Sequence, residues 1–439
     1  MISNYAKFIE IKPGIWMAFN TLLMQILILS PTEYRLVLSQ KVKDKELLSA
    51  LYDAGIYIES SINDAQALKA LKDVYYQNSG LIQILYLVLT NDCNLRCKYC
   101  FLENNENCPE ERNSMPEEIA FLALNKYINH LKKHGLSQAV LILYGGEPTL
   151  KKDLLKKIVV YCRNSNIHFD ITVITNGTTM TVDLASFFAQ HNIGIGLSID
   201  GPEEITNKNR RFRYSDNGVY DIVWKSKNIL DNKGATYGLS MVVSEYFLNH
   251  KNEILDWLLK NHNKGVFYNL MHFDQPVKNW KEYSNRSVSF ILSSYDFFEK
   301  NNSSVVDGQI QRQIDSFIKR KFMFSCCGSI GANQITVTPT GDISICHGDS
   351  SDKKHHIGNI ATIDMEDISN TYEARQWIDR ATINNQECLQ CEALFCCGGG
   401  CRHHAEILFG NRSQIDRTYC IYAKTVFRWM LKRILSTHF

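Results

Sequence analysis

Segments of apolar and β-branched residues alternate with amphipathic helical patterns between residues 81 and about 275. The apolar segments are LIQILYLVLT, QAVLILY, FDITVIT, IGIGLSI, TYGLSMVVS and GVFYNLMHF. Strands that are repeatedly separated by helices predict βαβ units and a parallel sheet. Because barrel-like parallel sheets place their active sites at the carboxyl ends of the strands, the residues directly after each apolar segment are the first candidates for chemistry.

Two other regions flank this α/β unit. The first 80 residues mix short β-rich pieces with helical ones, and Ser30 and Glu33 have the spacing of a capping box at a helix start. Residues near 276–320 have the pattern of a polar helical connector, and the remaining residues hold most of the cysteines. The sequence therefore predicts three units: a small α+β module over 1–80, an α/β barrel with its connector over 81–320, and a cysteine-rich domain with a final helix over 321–439.

The charge balance excludes several classes of partner. The chain has 48 basic and 46 acidic residues and a net charge of +2, so no global field points to nucleic acid or to a membrane surface. No segment reaches the roughly 18 uninterrupted apolar residues of a membrane span. The segment that comes nearest, residues 15–29, is interrupted by polar residues and lacks a small-residue cleavage site. We expect a cytoplasmic protein without a nucleic-acid or membrane partner.

The 14 cysteines are unevenly placed along the chain. Three lie between Cys93 and Cys100, nine lie between Cys326 and Cys420, and Cys108 and Cys162 stand apart. In a chain without a secretion signal, clustered thiols are more often metal ligands or catalytic groups than disulfides. We therefore interpret both clusters as metal sites.

The first cluster is the CxxxCxxC loop of Cys93, Cys97 and Cys100, directly after the first apolar segment. A 4Fe–4S cluster usually takes four thiolates, so three local ligands leave one iron open for another ligand. A zinc knuckle with a distant fourth ligand is the alternative. At the next strand end, Gly145, Gly146, Glu147 and Pro148 combine glycines that allow close backbone approach with a carboxylate that can pair with an ammonium group.

The cysteine loop, with Tyr99 before its last cysteine, and the GGEP segment at the following strand end together resemble the radical S-adenosylmethionine (SAM) superfamily. The resemblance implies a partial (β/α)6 TIM-like barrel, a SAM-binding 4Fe–4S cluster and cleavage of SAM to a 5′-deoxyadenosyl radical that abstracts hydrogen. It also implies a serine and a downstream arginine at the ribose and carboxylate of SAM; of Arg210, Arg211 and Arg213 we favour Arg211. The SAM-binding residues so implied are Tyr99, Gly145, Gly146, Glu147, Ser198 and Arg211.

The later cysteines follow the pattern Cx13Gx4C, gap, Cx2Cx5Cx3C, gap, C, which resembles the seven-cysteine SPASM extension of the same superfamily. The resemblance implies two auxiliary 4Fe–4S clusters. One would be bound by Cys388, Cys391, Cys397 and Cys420, and the other by Cys327, Cys346 and Cys401 with Cys326 as a candidate fourth ligand. The doublets at 326/327 and 396/397 leave the choice of ligand open, and a double zinc ribbon is the alternative.

Radical SAM enzymes with this extension mostly act on peptides or proteins. The leading hypothesis is therefore a peptide maturase that abstracts hydrogen from a ribosomally made precursor and oxidatively forms a thioether or carbon–carbon crosslink, with electrons from a donor such as flavodoxin or ferredoxin. The N-terminal module would bind the leader of the precursor or cap the barrel. The sequence identifies no catalytic acid or base.

Two alternatives remain open. One is an anaerobic sulfatase-maturating enzyme, but that family carries Asp after the Gx4C cysteine and usually Gln before GGEP, where this chain has His347 and Tyr144. The other is a non-catalytic iron–sulfur or zinc protein that binds peptides or carries electrons.

Overall fold

The computed structural model describes residues 1–102, 112–262, 264–272 and 278–438. Cys108 lies outside these ranges. Over the described part of the chain, the strands form a three-stranded and a nine-stranded sheet. None of the helices in these ranges combines the length and apolarity that crossing a membrane requires.

The N-terminal module is a three-stranded antiparallel sheet followed by three helices. The capping box is confirmed, because the Ser30 hydroxyl accepts from the Glu33 amide at 3.2 Å and the Glu33 carboxylate accepts from the Ser30 amide at 2.7 Å. The elements are β1 (Ala6–Lys12), β2 (Ile15–Asn20), β3 (Ile26–Leu29), α1 (Pro31–Leu38), α2 (Lys45–Asp53) and α3 (Ser61–Asn78).

Six parallel strands form the barrel sheet, as the alternation of apolar segments predicts. The strands are β4 (Ile84–Thr90), β5 (Gln138–Gly145), β6 (His168–Thr175), β7 (Gly194–Ser198), β8 (Tyr237–Val243) and β9 (Val266–Leu270). The helices between them are α4 (Glu117–Lys133), α5 (Lys152–Arg163), α6 (Val182–Gln190), α7 (Glu203–Asn209), α8 (Tyr220–Asn232), α9 (Glu245–Asn249) and α10 (Lys251–Asn261). This arrangement is an α/β fold with a partial barrel.

Helical periodicity explains how the barrel helices pack. In α4 the residues Leu124, Tyr127 and Leu131 recur every three or four positions and are all fully buried. This spacing places them on one face of the helix, which covers the sheet. The carboxyl ends of the strands remain available for the loops that carry the predicted motifs.

The barrel sheet continues into the cysteine-rich domain, which the sequence does not predict. Strand β10 (Gln334–Val337) pairs in parallel with β4, β11 (Asp342–Ser344) pairs antiparallel with β10, and β12 (Gly358–Asn359) pairs with β11. The remaining helices are α11 (Trp280–Lys300), α12 (Gly308–Ile318), α13 (Met365–Ile368), α14 (Tyr372–Asp379), α15 (Gln386–Leu389), α16 (Leu394–Cys397), α17 (Arg402–Phe409) and α18 (Arg417–His438). Cys327 precedes β10, and Cys346 follows the antiparallel β11, so both lie beside the amino end of β4, across the barrel from the cysteine loop.

A polar contact also joins the barrel to the cysteine-rich domain. On α4, His130 Nδ1 lies 2.6 Å from Glu366 Oε1 and His134 Nε2 lies 2.9 Å from Glu366 Oε2. His130 Nε2 accepts from the Ile82 amide at 3.1 Å, so the neutral ring carries its proton on Nδ1 and donates to Glu366. We call this contact the interdomain latch.

The N-terminal module lies against the cysteine-rich domain. Phe19 packs edge-on against Phe427 with ring centroids 5.3 Å apart, and the Tyr75 hydroxyl donates to the Ile378 carbonyl at 2.7 Å. The module therefore contacts the unit that comes last in the chain.

Candidate active site

A cavity of about 1010 Å³ opens at the carboxyl ends of the barrel strands. It is bounded by the barrel on one side and by β10, β11 and the segment after Cys346 on the other. The predicted site residues that line it are Cys93, Cys97, Tyr99, Cys100, Gly145, Gly146, Glu147 and Ser198. The structure therefore brings these strand-end motifs to a single space.

The cysteine loop, which is Cys93, Cys97 and Cys100, is held by the segment that follows α7. Arg213 Nε donates to the Cys93 carbonyl at 2.8 Å, and the Arg96 amide donates to the Arg211 carbonyl at 2.8 Å. Burial raises the pKa of the Cys93 thiol to about 12, and the neighbouring Glu147, Cys97 and Cys100 add to this effect. The three thiols are thus close together in a setting that disfavours free thiolates, and a bound cation would relieve that cost.

The glycines of GGEP have a packing role that the sequence did not reveal. A Cβ on Gly145 would lie 2.2 Å from the Thr90 carbonyl oxygen, and one on Gly146 would lie 2.1 Å from the Asp92 carbonyl oxygen. In addition, the Gly146 amide donates to Thr90 and the Glu147 amide to Asp92, both at 2.8 Å. The two glycines therefore let the GGEP turn pack directly on the backbone of Thr90 and Asp92, which leads into the cysteine loop. These contacts fix the turn against that loop.

Glu147 is a buried carboxylate at the cavity wall, with 1% of its surface exposed. It accepts from the Thr175 hydroxyl at 2.7 Å, from the Asn176 amide at 2.6 Å and from the Thr149 amide at 3.0 Å. Burial raises the pKa of Glu147, while the hydrogen bonds from Thr149, Asn176 and Thr175 oppose that rise. The Glu147 carboxylate can therefore form an ion pair with an ammonium group bound in the cavity.

A second buried cluster joins Tyr99, Asp200 and Arg210. Two guanidinium nitrogens of Arg210 each donate to an oxygen of Asp200 at 3.0 Å, and the Tyr99 hydroxyl donates to the same carboxylate. The Arg210 guanidinium lies over the Tyr99 ring, 5.3 Å from its centroid. Asp200, fully buried, is a site residue that sequence reasoning did not assign, although it directly follows a strand.

The structure brings Arg210 to the cavity rather than Arg211. Arg210 lines the cavity, whereas the Arg211 side chain is 45% exposed and contacts the Asn207 carbonyl at 3.3 Å and Asp216 at 3.6 Å. Adjacent residues on this extended segment point in opposite directions, which the residue types alone do not reveal. A role for Arg211 in SAM binding stays a prediction.

The later cysteines form two groups. The inner cysteine group is Cys327, Cys346 and Cys401, whose thiols interact electrostatically with one another. The outer cysteine group is Cys388, Cys391, Cys397 and Cys420, which interact in the same way. Burial raises the pKa of Cys401 and of Cys388 to about 12. Cys326 has neighbours in both groups, Cys401 and Cys397, and the assignment of these cysteines to two clusters stays a prediction.

The cysteine doublets differ in their surroundings. The Cys326 thiol donates to Cys327 and lowers its pKa, and Cys326 Sγ also lies 3.5 Å from the Gly400 carbonyl oxygen. Cys327 has an exposed side chain, and hydrogen bonds from Ser329 and Ile330 also lower the pKa of its thiol. Cys396 is buried, and its thiol donates to the Ala393 carbonyl at 3.8 Å.

The Gly398–Gly400 segment packs against protein backbone. A Cβ on Gly398 would lie 2.4 Å from the Cys326 amide nitrogen, and the Cys326 amide donates to the Gly398 carbonyl at 2.9 Å. This contact brings the Cys326–Cys327 doublet beside the start of α17.

An aromatic cluster separates the cysteine loop from the inner cysteine group. His347 stacks on Tyr86 with centroids 4.8 Å apart and packs edge-on against Tyr144 at 5.3 Å, and all three line the cavity. Burial raises the pKa of Tyr144, and the neighbouring Cys100 and Cys346 add to this effect. Burial lowers the pKa of His347 to about 4, so its ring is uncharged at neutral pH.

Asp349 is the carboxylate nearest in sequence to His347, but it does not line this cavity. It is buried, and its two oxygens accept from Arg412 at 2.9 and 2.6 Å. Cys162, the remaining isolated cysteine, is buried on α5 among apolar residues.

Family comparisons agree with this geometry. Residues 87–258 match the Radical SAM superfamily, and residues 326–392 match the iron–sulfur cluster-binding domain SPASM. The chain is 24% identical over 407 residues to the radical SAM cyclopropyl synthase TigE of Paramaledivibacter caminithermalis, covering 88% of this chain and 83% of TigE. It is 23% identical over 373 residues to a cysteine-type anaerobic sulfatase-maturating enzyme of Clostridium perfringens, covering 81% of this chain and 98% of that enzyme.

Solved structures share the fold. Native anSMEcpe with bound AdoMet superposes with a TM-score of 0.68 at 20% identity, over 81% of this chain and 98% of that chain. Streptococcus suis SuiB bound to precursor peptide SuiA superposes with a TM-score of 0.54 at 17% identity, over 96% of this chain and 99% of that chain. The second match also includes the region of the N-terminal module.

Proposed function

We propose, from the premise that this chain is a radical SAM enzyme with a SPASM domain, that it is a peptide maturase. Its substrate would be a ribosomally made precursor peptide, and its product an oxidative thioether or carbon–carbon crosslink. The observation that carries the proposal is the uncharged aromatic cluster of Tyr86, Tyr144 and His347 between the cysteine loop and the inner cysteine group. Its surface suits a peptide side chain that reacts at carbon without first losing a proton.

The residues that would hold the cofactors fit them. The cysteine loop would bind one 4Fe–4S cluster, and the carboxylate of Glu147 faces the cavity where it can pair with the amino group of SAM. Bound together, cluster and SAM supply the 5′-deoxyadenosyl radical for which the family is named. The chain itself contributes position: Glu147 is fixed by four neighbouring donors, and Arg210 is fixed by Asp200.

The aromatic cluster has a second role in this proposal, which is to exclude water from the reacting side chain. Tyr86 and Tyr144 project into the cavity from neighbouring strands, and His347 closes the gap between them from the cysteine-rich domain. A cavity wall that excludes water protects a radical intermediate from side reactions. An external electron donor such as flavodoxin or ferredoxin would supply the electron that cleaves SAM. When the crosslink forms, the substrate radical would lose a proton and pass an electron to an auxiliary cluster.

A sulfatase-maturating activity is the second candidate, because the fold is shared with anSMEcpe over 81% of this chain. At the two positions where sulfatase maturases usually have Asp and Gln, this chain has His347 and Tyr144, and the structure shows these two side chains in contact. The nearby carboxylate of Asp349 is paired with Arg412 instead. These contacts favour a substrate other than a sulfatase cysteine or serine.

The N-terminal module would capture the leader of the precursor by adding it as a strand to the sheet. Within the described sheet, β1 and β3 are the outer strands. Apolar side chains that are exposed around β3 and α1 would contact the leader; they are Leu23, Ile28, Leu36 and Leu38. SuiB, which matches over 96% of this chain, was solved with its precursor peptide bound.

The deciding experiment uses anaerobically reconstituted full-length protein, SAM and a reductant. A small peptide encoded beside this gene and a sulfatase-motif cysteine peptide are supplied separately, and products are read by mass spectrometry. We expect 5′-deoxyadenosine in both reactions and a loss of two mass units per crosslink in the encoded peptide alone. Formylglycine in the sulfatase peptide would overturn the proposal, and absence of 5′-deoxyadenosine would overturn SAM cleavage itself.

A further inference from the structure

The two later cysteine groups differ in the charged residues around them. In the inner group, Cys346 lies near Asp349, which is paired with Arg412, and Cys401 lies near Asp416. In the outer group, Cys391 lies near Lys424 and Lys7, while Cys420 lies near Arg417 and Lys424. The outer group also has the acidic neighbours Glu387, Glu392 and Asp416.

One of these cations comes from a distant part of the chain. Lys7 lies on β1 of the N-terminal module, and its Nζ donates to Gln390 Oε1 at 3.3 Å, across a sequence separation of 383 residues. Gln390 stands between the outer ligands Cys388 and Cys391, so its side chain holds the ammonium group beside the CxxC turn. The contact belongs to the packing of the N-terminal module on the cysteine-rich domain.

The Lys7 side chain is half-buried and only partly exposed to water. A half-buried ammonium group is stabilised by negative charge beside it. A 4Fe–4S cluster on four thiolates provides such charge, and it becomes more negative when it gains an electron.

We propose that Lys7 is a redox-positioning residue: it places a positive charge from the N-terminal module against the outer cluster and raises the reduction potential of that cluster. Net charge near a cluster is one of the factors that set its potential. A cation stabilises the reduced, more negative state over the oxidised one. The N-terminal module thereby contributes to electron acceptance in addition to any contact with a precursor. The inference rests on the assignment of an auxiliary cluster to the outer group.

The test is a redox titration of the reconstituted full-length protein, followed by electron paramagnetic resonance, for wild type, Lys7→Gln and Lys7→Arg. Lys7→Gln removes the charge and keeps a polar side chain, so we expect the midpoint potential of one auxiliary cluster to become more negative. Lys7→Arg keeps the charge and should restore the wild-type potential. The other two clusters should not shift in either variant.

A matched control lies on the same strand. Lys12 is exposed at the end of β1, and Lys12→Gln changes the net charge of the protein by the same amount as Lys7→Gln. We expect no shift in this variant, because exposed charges at longer range are screened by salt.

The other possible results would overturn the proposed role of Lys7. Equal potentials in wild type and Lys7→Gln would overturn the proposal, as would equal shifts in Lys7→Gln and Lys7→Arg. Loss of iron from the outer group in Lys7→Gln would show a structural role instead. If wild type binds the iron of only the cysteine-loop cluster, the cluster assignment fails, whereas SAM cleavage tests the proposed function separately.

Discussion

The inner and outer cysteine groups belong to one domain but are built for different surroundings. The inner group flanks strands that extend the barrel sheet. Two of its thiols, Cys346 and Cys327, interact electrostatically with Tyr86 on the cavity wall. The outer group lies on or beside α15, α16 and α18, close to the N-terminal module and among both basic and acidic side chains. The inner group thus lies behind the aromatic wall of the cavity, and the outer group lies beside the N-terminal module. Their roles should therefore be separable by mutation.

The largest expected effect comes from removing an inner ligand. In Cys346→Ala, we expect loss of about four iron atoms per chain, the content of one cluster, and no detectable crosslinked product. Cleavage of SAM should persist because the cysteine loop is intact. Iron analysis and mass spectrometry of the peptide measure both effects.

The matched outer variant is Cys388→Ala. It should lose the same amount of iron but retain more product than Cys346→Ala, because Cys346 adjoins the cavity-lining residues Tyr86 and Tyr144, whereas the outer group lies beside the N-terminal module. Equal loss of product from both variants would show that the two groups contribute equally to product formation.

The next effect comes from the wall between the cavity and the inner group. His347→Asp places a carboxylate between the buried rings of Tyr86 and Tyr144, where an unpaired charge is costly. We expect product formation to fall roughly 10- to 100-fold, since small displacements of a bound substrate cost that much. Product yield over time, measured with the encoded peptide, gives this ratio.

His347→Phe is the control, because it keeps an uncharged ring in the same place. It should remain closer to wild type than His347→Asp. Formation of formylglycine by His347→Asp, together with normal crosslinking, would show that the aromatic cluster does not select the substrate.

A smaller effect is expected at the interdomain latch, which joins the cysteine-rich domain to α4 of the barrel. Burial alone would raise the pKa of Glu366, but hydrogen bonds from His134, His130 and Lys133 outweigh it and hold that pKa at about 2, below the usual 4.5. The latch therefore contributes its full stability above about pH 4.5 and loses it as the pH falls toward 2. Glu366→Gln should lower the free energy of unfolding by about 1 kcal/mol at neutral pH.

Urea unfolding at pH 7 and at pH 3 measures this contribution. The difference between wild type and Glu366→Gln should be smaller at pH 3, where the carboxylate contribution is partly lost. A difference that does not change between the two pH values would contradict the role of the carboxylate charge.

The smallest effect is expected from Cys396→Ala, which removes a buried thiol that donates to its own helix. Iron content and both auxiliary signals should stay at the wild-type level, and stability should fall by no more than about 1 kcal/mol. Loss of the iron of the outer group would assign Cys396 as the ligand of the doublet in place of Cys397.

Local patterns carried most of what the sequence predicts. The six barrel strands, the Ser30 capping box and the convergence of the cysteine loop with GGEP are confirmed, because each depends on residues that are neighbours in sequence or on successive strand ends. The resemblance to radical SAM and SPASM proteins is confirmed by the matches over residues 87–258 and 326–392.

What the sequence did not predict depends on contacts between distant residues. Strand β10 has only four residues, so its pairing with β4 gives no periodic signal. The choice between Arg210 and Arg211 depends on which side of an extended segment faces Asp200. The position of Lys7 beside the outer group depends on how two units pack, which no motif encodes.

The pairing of β10 with β4 has a consequence for biosynthesis. Strand β4 is made early, but its outer neighbour β10 is made about 250 residues later, which takes roughly 10 to 50 s at ribosomal rates of about 5–20 residues per second. During that interval one edge of the barrel sheet lacks its partner, and an unpaired edge invites association with other chains. The newborn chain therefore needs shielding at this edge until the last strands arrive. The inner cysteine group can be loaded with iron only after this step, so cluster insertion comes late in the maturation of the enzyme itself.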